Sequence, residues 1–227
     1  MIPKWNEIPK NMHNVYVKKQ YEILMRKKKS LILKRLFDVF VSLLMIILLS
    51  PILAAVAIII KIDSEGPAIY RQERATQYGN TFKVYKFRTM VNNADKIGGH
   101  ITADKDPRIT RVGRKIRDYR IDELPQLFNI LSGEMSFVGT RPEAIKYVSE
   151  YTDEMKVTLL LPAGVTSKAS IKFRNEAELL KDEQNIDNAY VSKVLPQKMK
   201  HNIAYIEKFG FLSDIKIMFE TVVTVLR

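Results

Sequence analysis

The stretch LFDVFVSLLMIILLSPILAAVAIII, Leu36 to Ile60, decides the architecture of this chain. It is almost wholly apolar, and its length matches the about 20 residues a helix needs to pass a hydrocarbon core about 30 Å thick. A cleavable signal peptide fits poorly, because the run starts too far in, is too long and lacks a small-residue cleavage site. A buried core helix is disfavoured by the uncharged length from Val39 to Ile60. Ser50-Pro51 lies near the middle. Proline removes one backbone donor and clashes with the carbonyl of Ile47, so the sequence predicts a kink or break there, with the Ser50 hydroxyl able to take the freed carbonyl. A kinked span would put the ends on opposite sides of a membrane; a re-entrant hairpin would return them to one side. Arg26, Lys27, Lys28, Lys29, Lys34 and Arg35 precede the run, and Lys61, Arg71, Arg74, Lys83, Lys86 and Arg88 follow it. With both flanks basic, neither is an obvious translocated side, which leans towards the hairpin. Asp38, costly in lipid, is expected at the interface, paired with Lys34 or Arg35.

Outside this run the 227 residues leave room for one domain of ordinary size. There is no cysteine, which excludes disulfides, thiolate chemistry and zinc–thiolate sites. The three histidines are scattered, so a histidine-based metal site is not expected. A formal net charge of +12 points to a polyanionic partner: nucleic acid, an anionic membrane face or phosphate-bearing substrates. The chain divides into a basic N-terminal segment (1–30), a membrane segment (31–62) and a catalytic domain (63–227). The first of these, polar and lysine-rich, reads as a surface helix or a loose tail on anionic headgroups.

The soluble part reads as α+β, mostly helical, with a small β-hairpin. Residues 68–74 and 81–88 read as strands joined by Tyr78-Gly79-Asn80. The hairpin's cations, Lys86 and Arg88 among them, lie where phosphates could be held. Residues 91–99 read as a short helix ending in Gly98-Gly99. A dense basic stretch follows, with Arg111, Arg114 and Arg117 spaced by three on one helical face. It leads into Arg120-Ile-Asp-Glu-Leu-Pro-Gln-Leu-Phe-Asn-Ile-Leu-Ser-Gly133. There Asp122 reads as a helix N-cap, Glu123 as the first residue inside, Leu124, Leu127, Phe128 and Leu131 as one apolar face, and Gly133 as the stop. A basic ridge beside adjacent carboxylates is what pyrophosphate chemistry needs: cations for the substrate, carboxylates for a divalent ion or for attack. Phe137 to Pro142 and Leu161 to Thr166 read as turn-rich loops, the first carrying Arg141, an extended pre-proline residue able to grip a phosphate bidentately. Ile215, Met218, Phe219, Val222, Val225 and Leu226 form an apolar stripe on a C-terminal helix, expected to pack on the domain, with membrane-surface docking as the rival.

Nine ordered motifs bring these pieces together. They are Lys34-Arg35-Leu-Phe-Asp38, Ser50-Pro51, Gly66-Pro67, Gln72-x-Arg74, Phe82-x-x-Tyr85-Lys86-Phe87-Arg88-Thr89-Met90, Asp106-x-Arg108-Ile-Thr-x-Val-Gly113, Asp122-Glu123-Leu-Pro-Gln126, Gly133-Glu-Met-Ser136 and Val138-Gly139-x-Arg141-Pro142. Over about residues 31–225 the chain resembles the bacterial sugar transferases, the monotopic polyprenyl-phosphate phosphoglycosyl transferases. The resemblance implies a re-entrant hairpin broken at Ser50-Pro51 and a catalytic domain on the cytoplasmic face of the inner membrane. It implies transfer of a sugar-1-phosphate from a UDP-sugar to undecaprenyl phosphate in the inner leaflet, with release of UMP. By analogy Asp122 is the nucleophile of a phosphosugar–enzyme intermediate, and Glu123 its partner near Mg²⁺, so that both count as catalytic residues and metal ligands. Lys86, Arg88, Arg117 and Arg141 are the candidate substrate contacts. A second copy of the chain is a candidate partner and nucleic acid is not. The chain departs from the family in Thr140, where proline is usual, and in Ala163-Gly-Val-Thr-Ser167 followed by Lys168, where Pro-Gly-Ile-Thr-Gly and often an aromatic are usual. These departures leave the sugar open. The rival readings are a membrane-anchored nucleic-acid-binding or scaffold protein and a metal-dependent hydrolase of lipid diphosphates.

Overall fold

In a computed structural model that describes residues 2–94, 106–180, 183 and 185–226, a single long helix lies along a mixed α/β body. Helix α1 (Val15–Arg26) is capped by Asn14, whose Oδ1 accepts from the Val17 N–H at 2.9 Å. Helix α2 (Lys28–Asp63) follows, then an antiparallel hairpin of β1 (Ile69–Ala75) and β2 (Thr81–Phe87). Helix α3 (Arg111–Asp118) and helix α4 (Gln126–Ser132) lead to β3 (Met135–Val138), which pairs in parallel with β4 (Ala163–Thr166). Helix α5 (Lys168–Lys172), helix α6 (Leu195–Glu207) and helix α7 (Phe211–Leu226) complete the chain.

The hairpin forms as its alternation predicts, with Phe82, Val84 and Phe87 buried. The segment at 91–99 lies mostly outside the described residues. The two turn-rich loops turn out to be the parallel strands. They approach so closely at Gly139 and Gly164 that a Cβ on Gly164 would sit 2.1 Å from the Gly139 nitrogen. Glycine at both positions lets Gly139 N–H reach Thr166 O (3.0 Å) and Gly164 N–H reach Thr140 O (2.9 Å).

Among the described residues, α2 is the one helix long and apolar enough to cross a membrane. Its 36 residues, at about 1.5 Å each, span about 54 Å. The expected break at Ser50-Pro51 is not seen; helix runs through it. Ser50 Oγ donates to Ile47 O at 2.9 Å, which occupies the carbonyl that Pro51 cannot. One side of α2 packs on the body through Met45, Ile46, Leu49, Leu53, Val56 and Ala57. The other exposes Leu36, Phe40, Leu44, Ile47, Leu48, Ile52, Ile58 and Ile62.

The root of α2 departs from the sequence reading. Asp38 does not sit at a lipid interface, and neither Lys34 nor Arg35 is its partner. It is 3% exposed and accepts from Ser136 Oγ (2.7 Å) and Phe137 N–H (3.3 Å) on β3. Lys34 instead pairs with Asp214 of α7 at 2.7 Å and donates to Val138 O at 2.8 Å. Arg35 donates to Ile130 O and Leu131 O at the end of α4, where Ile130 O also accepts from Gly133 N–H. Of the two readings of the N-terminal segment, the structure has the helix. Met12, Val17 and Leu24 join the main core with Leu160, Ile206 and Phe209, and Trp5 stacks on His13. The apolar stripe of α7 is split: Met218 packs against the main core as expected, while Ile215, Phe219 and Val222 are exposed, and Asp214 and Ile217 are buried.

Candidate active site

Arg120 takes a left-handed conformation (φ 56°) just after α3, its N–H bonded to Arg117 O at 3.0 Å. A bulky residue held there marks a backbone fixed by its surroundings. The reversal sets up a single 3₁₀ turn, Ile121–Glu123, which carries both carboxylates. Asp122 is therefore not the N-cap of a helix. Pro125 holds that position, and α4 begins at Gln126, one turn later. The buried side of α4 is Gln126, Leu127, Asn129 and Ile130; Phe128, expected on the apolar face, is exposed. Gly133 ends the helix as expected, at φ 93°.

Glu123 is bound. Arg141, just beyond the Gly139 crossing, forms an ion pair with Glu123, and its Nη1 also donates to Val165 O at 3.3 Å. Burial alone would push the Glu123 pKa up, but Arg141 and Lys86 beside it hold it down at about 2. The Glu123 charge in turn raises the Arg141 pKa. Asp122 is different. Its Oδ1 is buried with no hydrogen-bond partner among the described residues. Burial and the neighbouring Glu123 charge raise its pKa to about 6, against the pull of Lys86 and Arg117. Lys86 feels both carboxylates; desolvation lowers its pKa to about 8.

Asp122 lines a cavity of about 830 Å³ whose walls include Lys86, Arg88 and Arg117. Three of the four expected substrate cations thus meet Asp122, and the fourth, Arg141, meets Glu123. Arg88 has a second attachment: it is 6% exposed and donates to Ser64 O (2.6 Å) and Ser64 Oγ (3.0 Å) at the end of α2, leaving Nε and Nη1 unpartnered among the described residues. Arg111 and Arg114, expected on the same face as Arg117, are exposed and take no part in the cavity.

A family model described as bacterial sugar transferase matches residues 29–227. The chain belongs to that family. Over 197 residues it is 34% identical to a UDP-N-acetylgalactosamine-undecaprenyl-phosphate N-acetylgalactosaminephosphotransferase of Aeromonas hydrophila, covering 86% of this chain and 44% of that one. Over 200 residues it is 37% identical to a UDP-glucose:undecaprenyl-phosphate glucose-1-phosphate transferase of Klebsiella pneumoniae, covering 85% of this chain and 40% of that one. An exopolysaccharide production protein of Rhizobium leguminosarum bv. phaseoli is 36% identical over 206 residues, with 86% of this chain and 95% of that one covered. The chain spans less than half the length of the first two relatives.

In this sugar transferase, no group of three or more Asp, Glu, His or Cys side chains converges to hold a metal among the described residues. Mg²⁺ does not require such a cage; one or two carboxylates with substrate phosphates and waters suffice. The unpartnered Asp122 oxygen, next to Glu123, suits that mode of binding.

Two supports of the site are invisible in the sequence. Asn129, fully buried on α4, accepts from Tyr85 N–H at 2.9 Å and donates to Lys83 O at 2.9 Å. It ties the turn that carries the carboxylates to the strand that carries Lys86. Behind Arg141, Lys198 Nζ is bonded to Glu143 (2.9 Å), Glu176 (3.1 Å) and Tyr190 (2.8 Å). A buried amide or lysine far along the chain gives no local signal; only the fold brings it to the site.

Proposed function

We propose that this chain transfers a sugar-1-phosphate from a UDP-sugar to a polyprenyl phosphate, the transfer its relatives are named for, and releases UMP. The observation that carries the reading is Asp122: a half-buried carboxylate on the wall of a cationic cavity, with its Oδ1 enclosed and without a hydrogen-bond partner among the described residues. A buried carboxylate without a hydrogen-bond partner is costly as structure and useful as a nucleophile.

The Asp122 oxygen attacks the phosphorus that bears the sugar; the bond to the bridging oxygen breaks, and UMP leaves with the electron pair. Lys86 and Arg117 hold the diphosphate and offset the repulsion between anions. An oxygen of the polyprenyl phosphate then attacks the same phosphorus, and the Asp122 carboxylate is regenerated. A covalent intermediate lets a water-soluble donor and a lipid acceptor be used in turn. Mg²⁺, held by Asp122, Glu123 and the diphosphate, would neutralise charge on the transferring group. Glu123, fixed by Arg141, keeps the turn and the Arg141 guanidinium in place.

In the same reading α2 enters the bilayer without crossing it, with the body on the cytoplasmic side. Both ends of α2 are attached to the same body: Lys34 and Asp38 to α7 and β3, Ile60 and Ser64 to Arg88. Both flanks are basic, as cytoplasmic segments are, and the face turned away from the body is apolar from Leu36 to Ile59 apart from Ser50. The test is UMP release over a panel of UDP-sugars with undecaprenyl phosphate and Mg²⁺. One donor should yield UMP and a lipid-extractable sugar. No UMP from any donor defeats the reading, and sugar phosphate released into water without a lipid acceptor supports the hydrolase instead.

A further inference from the structure

Asp122 and Glu123 are consecutive, yet they line different cavities. The Asp122 cavity, about 830 Å³, is walled by the hairpin and by Lys61, Arg71, Lys86, Arg88 and Arg117. The Glu123 cavity, about 340 Å³, has Arg120 and Arg141 beside the carboxylate and an otherwise mostly apolar wall of Met45, Leu127, Phe137, Val165, Ile171 and Phe173. Thr221 and Thr224 of α7 close its far side.

This second cavity abuts the two helices with exposed apolar faces. Met45 lines it, while its neighbours Leu44 and Leu48 on α2 are exposed. Thr221 and Thr224 line it, while Phe219 and Val222 on α7 are exposed. A sugar is the poorer occupant, because the wall is mainly apolar and the protons of its hydroxyls are already donated or shared. Thr166 Oγ1 and Thr221 Oγ1 share a bond of 2.7 Å, Thr224 Oγ1 donates to Glu220 O at 2.7 Å, and Ser170 Oγ meets Ser167 Oγ at 3.0 Å. Lys198, at its edge, already has three partners. What the cavity offers is cations beside Glu123 and a wall that is mainly apolar, with Gln126, Arg174 and Glu176 as its other polar members, the complement of a phosphate on an isoprenoid chain.

We propose that the Glu123 cavity receives the first isoprene units of the polyprenyl phosphate, its phosphate towards Arg141 and Arg120, its chain leaving between α2 and α7 into the bilayer. The nucleotide occupies the Asp122 cavity, and the two substrates use one phosphate position at the carboxylates in turn. There the acceptor oxygen forms the new P–O bond, the P–O bond to Asp122 breaks, and its electron pair returns to the carboxylate. This assignment rests on the function proposed above.

The experiment uses the full chain in nanodiscs and an undecaprenyl phosphate analogue with a diazirine in its first isoprene units. Crosslinks should fall on peptides containing Ile171–Arg174 and Thr221–Thr224 and be competed by undecaprenyl phosphate. Crosslinks confined to the hairpin overturn the proposal. In parallel, Thr224→Trp should raise the acceptor KM about tenfold, the equivalent of two displaced methylenes, with the donor KM unmoved. A raised donor KM with an unmoved acceptor KM gives the cavity to the sugar and overturns the proposal. Should Thr224→Trp fail to fold, the crosslink on the wild-type chain decides alone. Absence of UMP release by the wild-type chain would count against the function itself, whereas a misplaced crosslink in an active enzyme counts only against the cavity assignment.

Discussion

Two groups of desolvated charge in this molecule behave in opposite ways. At the root of α2, Lys34, Asp38 and Asp214 are each at most 6% exposed, and each has its partners. Lys34 holds Asp214 and Val138 O, Asp214 also accepts from Tyr205 at 2.8 Å, and Asp38 accepts from Ser136 and Phe137. At the other group, Glu123 is satisfied by Arg141, but Asp122 keeps an oxygen with no partner among the described residues. Buried charge that is fully hydrogen-bonded fixes an arrangement; buried charge left open is available for reaction. The first group seats the apolar helix on the body, and the second is where we propose the chemistry takes place.

That contrast can be broken by mutation. The largest effect belongs to Asp122→Asn, which should lower transfer at least about a thousandfold. Its melting temperature should hold or rise, since an open, desolvated acid is removed. A large fall in stability, by thermal melt, would place Asp122 with the structural group. Next, Lys34→Met should destabilise the fold by about 3–5 kcal/mol, because Asp214 would remain buried without its cation. The double variant Lys34→Met/Asp214→Leu should recover most of that loss in a denaturant titration. An unrecovered loss would show that the charges do more than satisfy one another. Glu123→Gln should slow transfer about a hundredfold by weakening the anchor on Arg141, and Arg141→Lys should fail to restore it for want of a bidentate fork. Wild-type turnover in Glu123→Gln would contradict the positioning role. The smallest effect is that of Ser50→Ala, about 1 kcal/mol or less, from the single bond to Ile47 O. A shift above 2 kcal/mol would mean that Pro51 strains α2 more than one carbonyl explains.

The same contrast sorts what the sequence made legible. The hairpin could be read because Phe82 and Val84 alternate with Lys83, Phe87 adds a second apolar position on the other face, and Tyr78-Gly79-Asn80 supplies the turn. The carboxylates could be read because Asp122-Glu123 follows a basic stretch at a helix start. Asp38 could not. A carboxylate in an apolar run signals a lipid boundary, and only β3 folding back against α2 shows that it is buried in protein. The parallel pair β3–β4 escaped because strands of four residues carry little periodicity and their partner lies far along the chain. The sequence also placed an apolar stripe on α7 and expected it on the domain. Met218 meets the core there beside Ile217 and Asp214, while Ile215, Phe219 and Val222 are left outside. Residues 2–26 lacked periodicity because two 3₁₀ turns precede α1, yet Ile8 and Met12 reach the core from them.

The central claim is that Asp122 carries the sugar phosphate between donor and acceptor. Its most direct test is single turnover with a UDP-sugar labelled in the sugar-bearing phosphate, without lipid, followed by acid quench and peptide mass spectrometry. The account predicts one sugar-phosphate adduct on the peptide containing Asp122, discharged when undecaprenyl phosphate is added. Label on another residue, or none from a donor that supports full turnover, would contradict it.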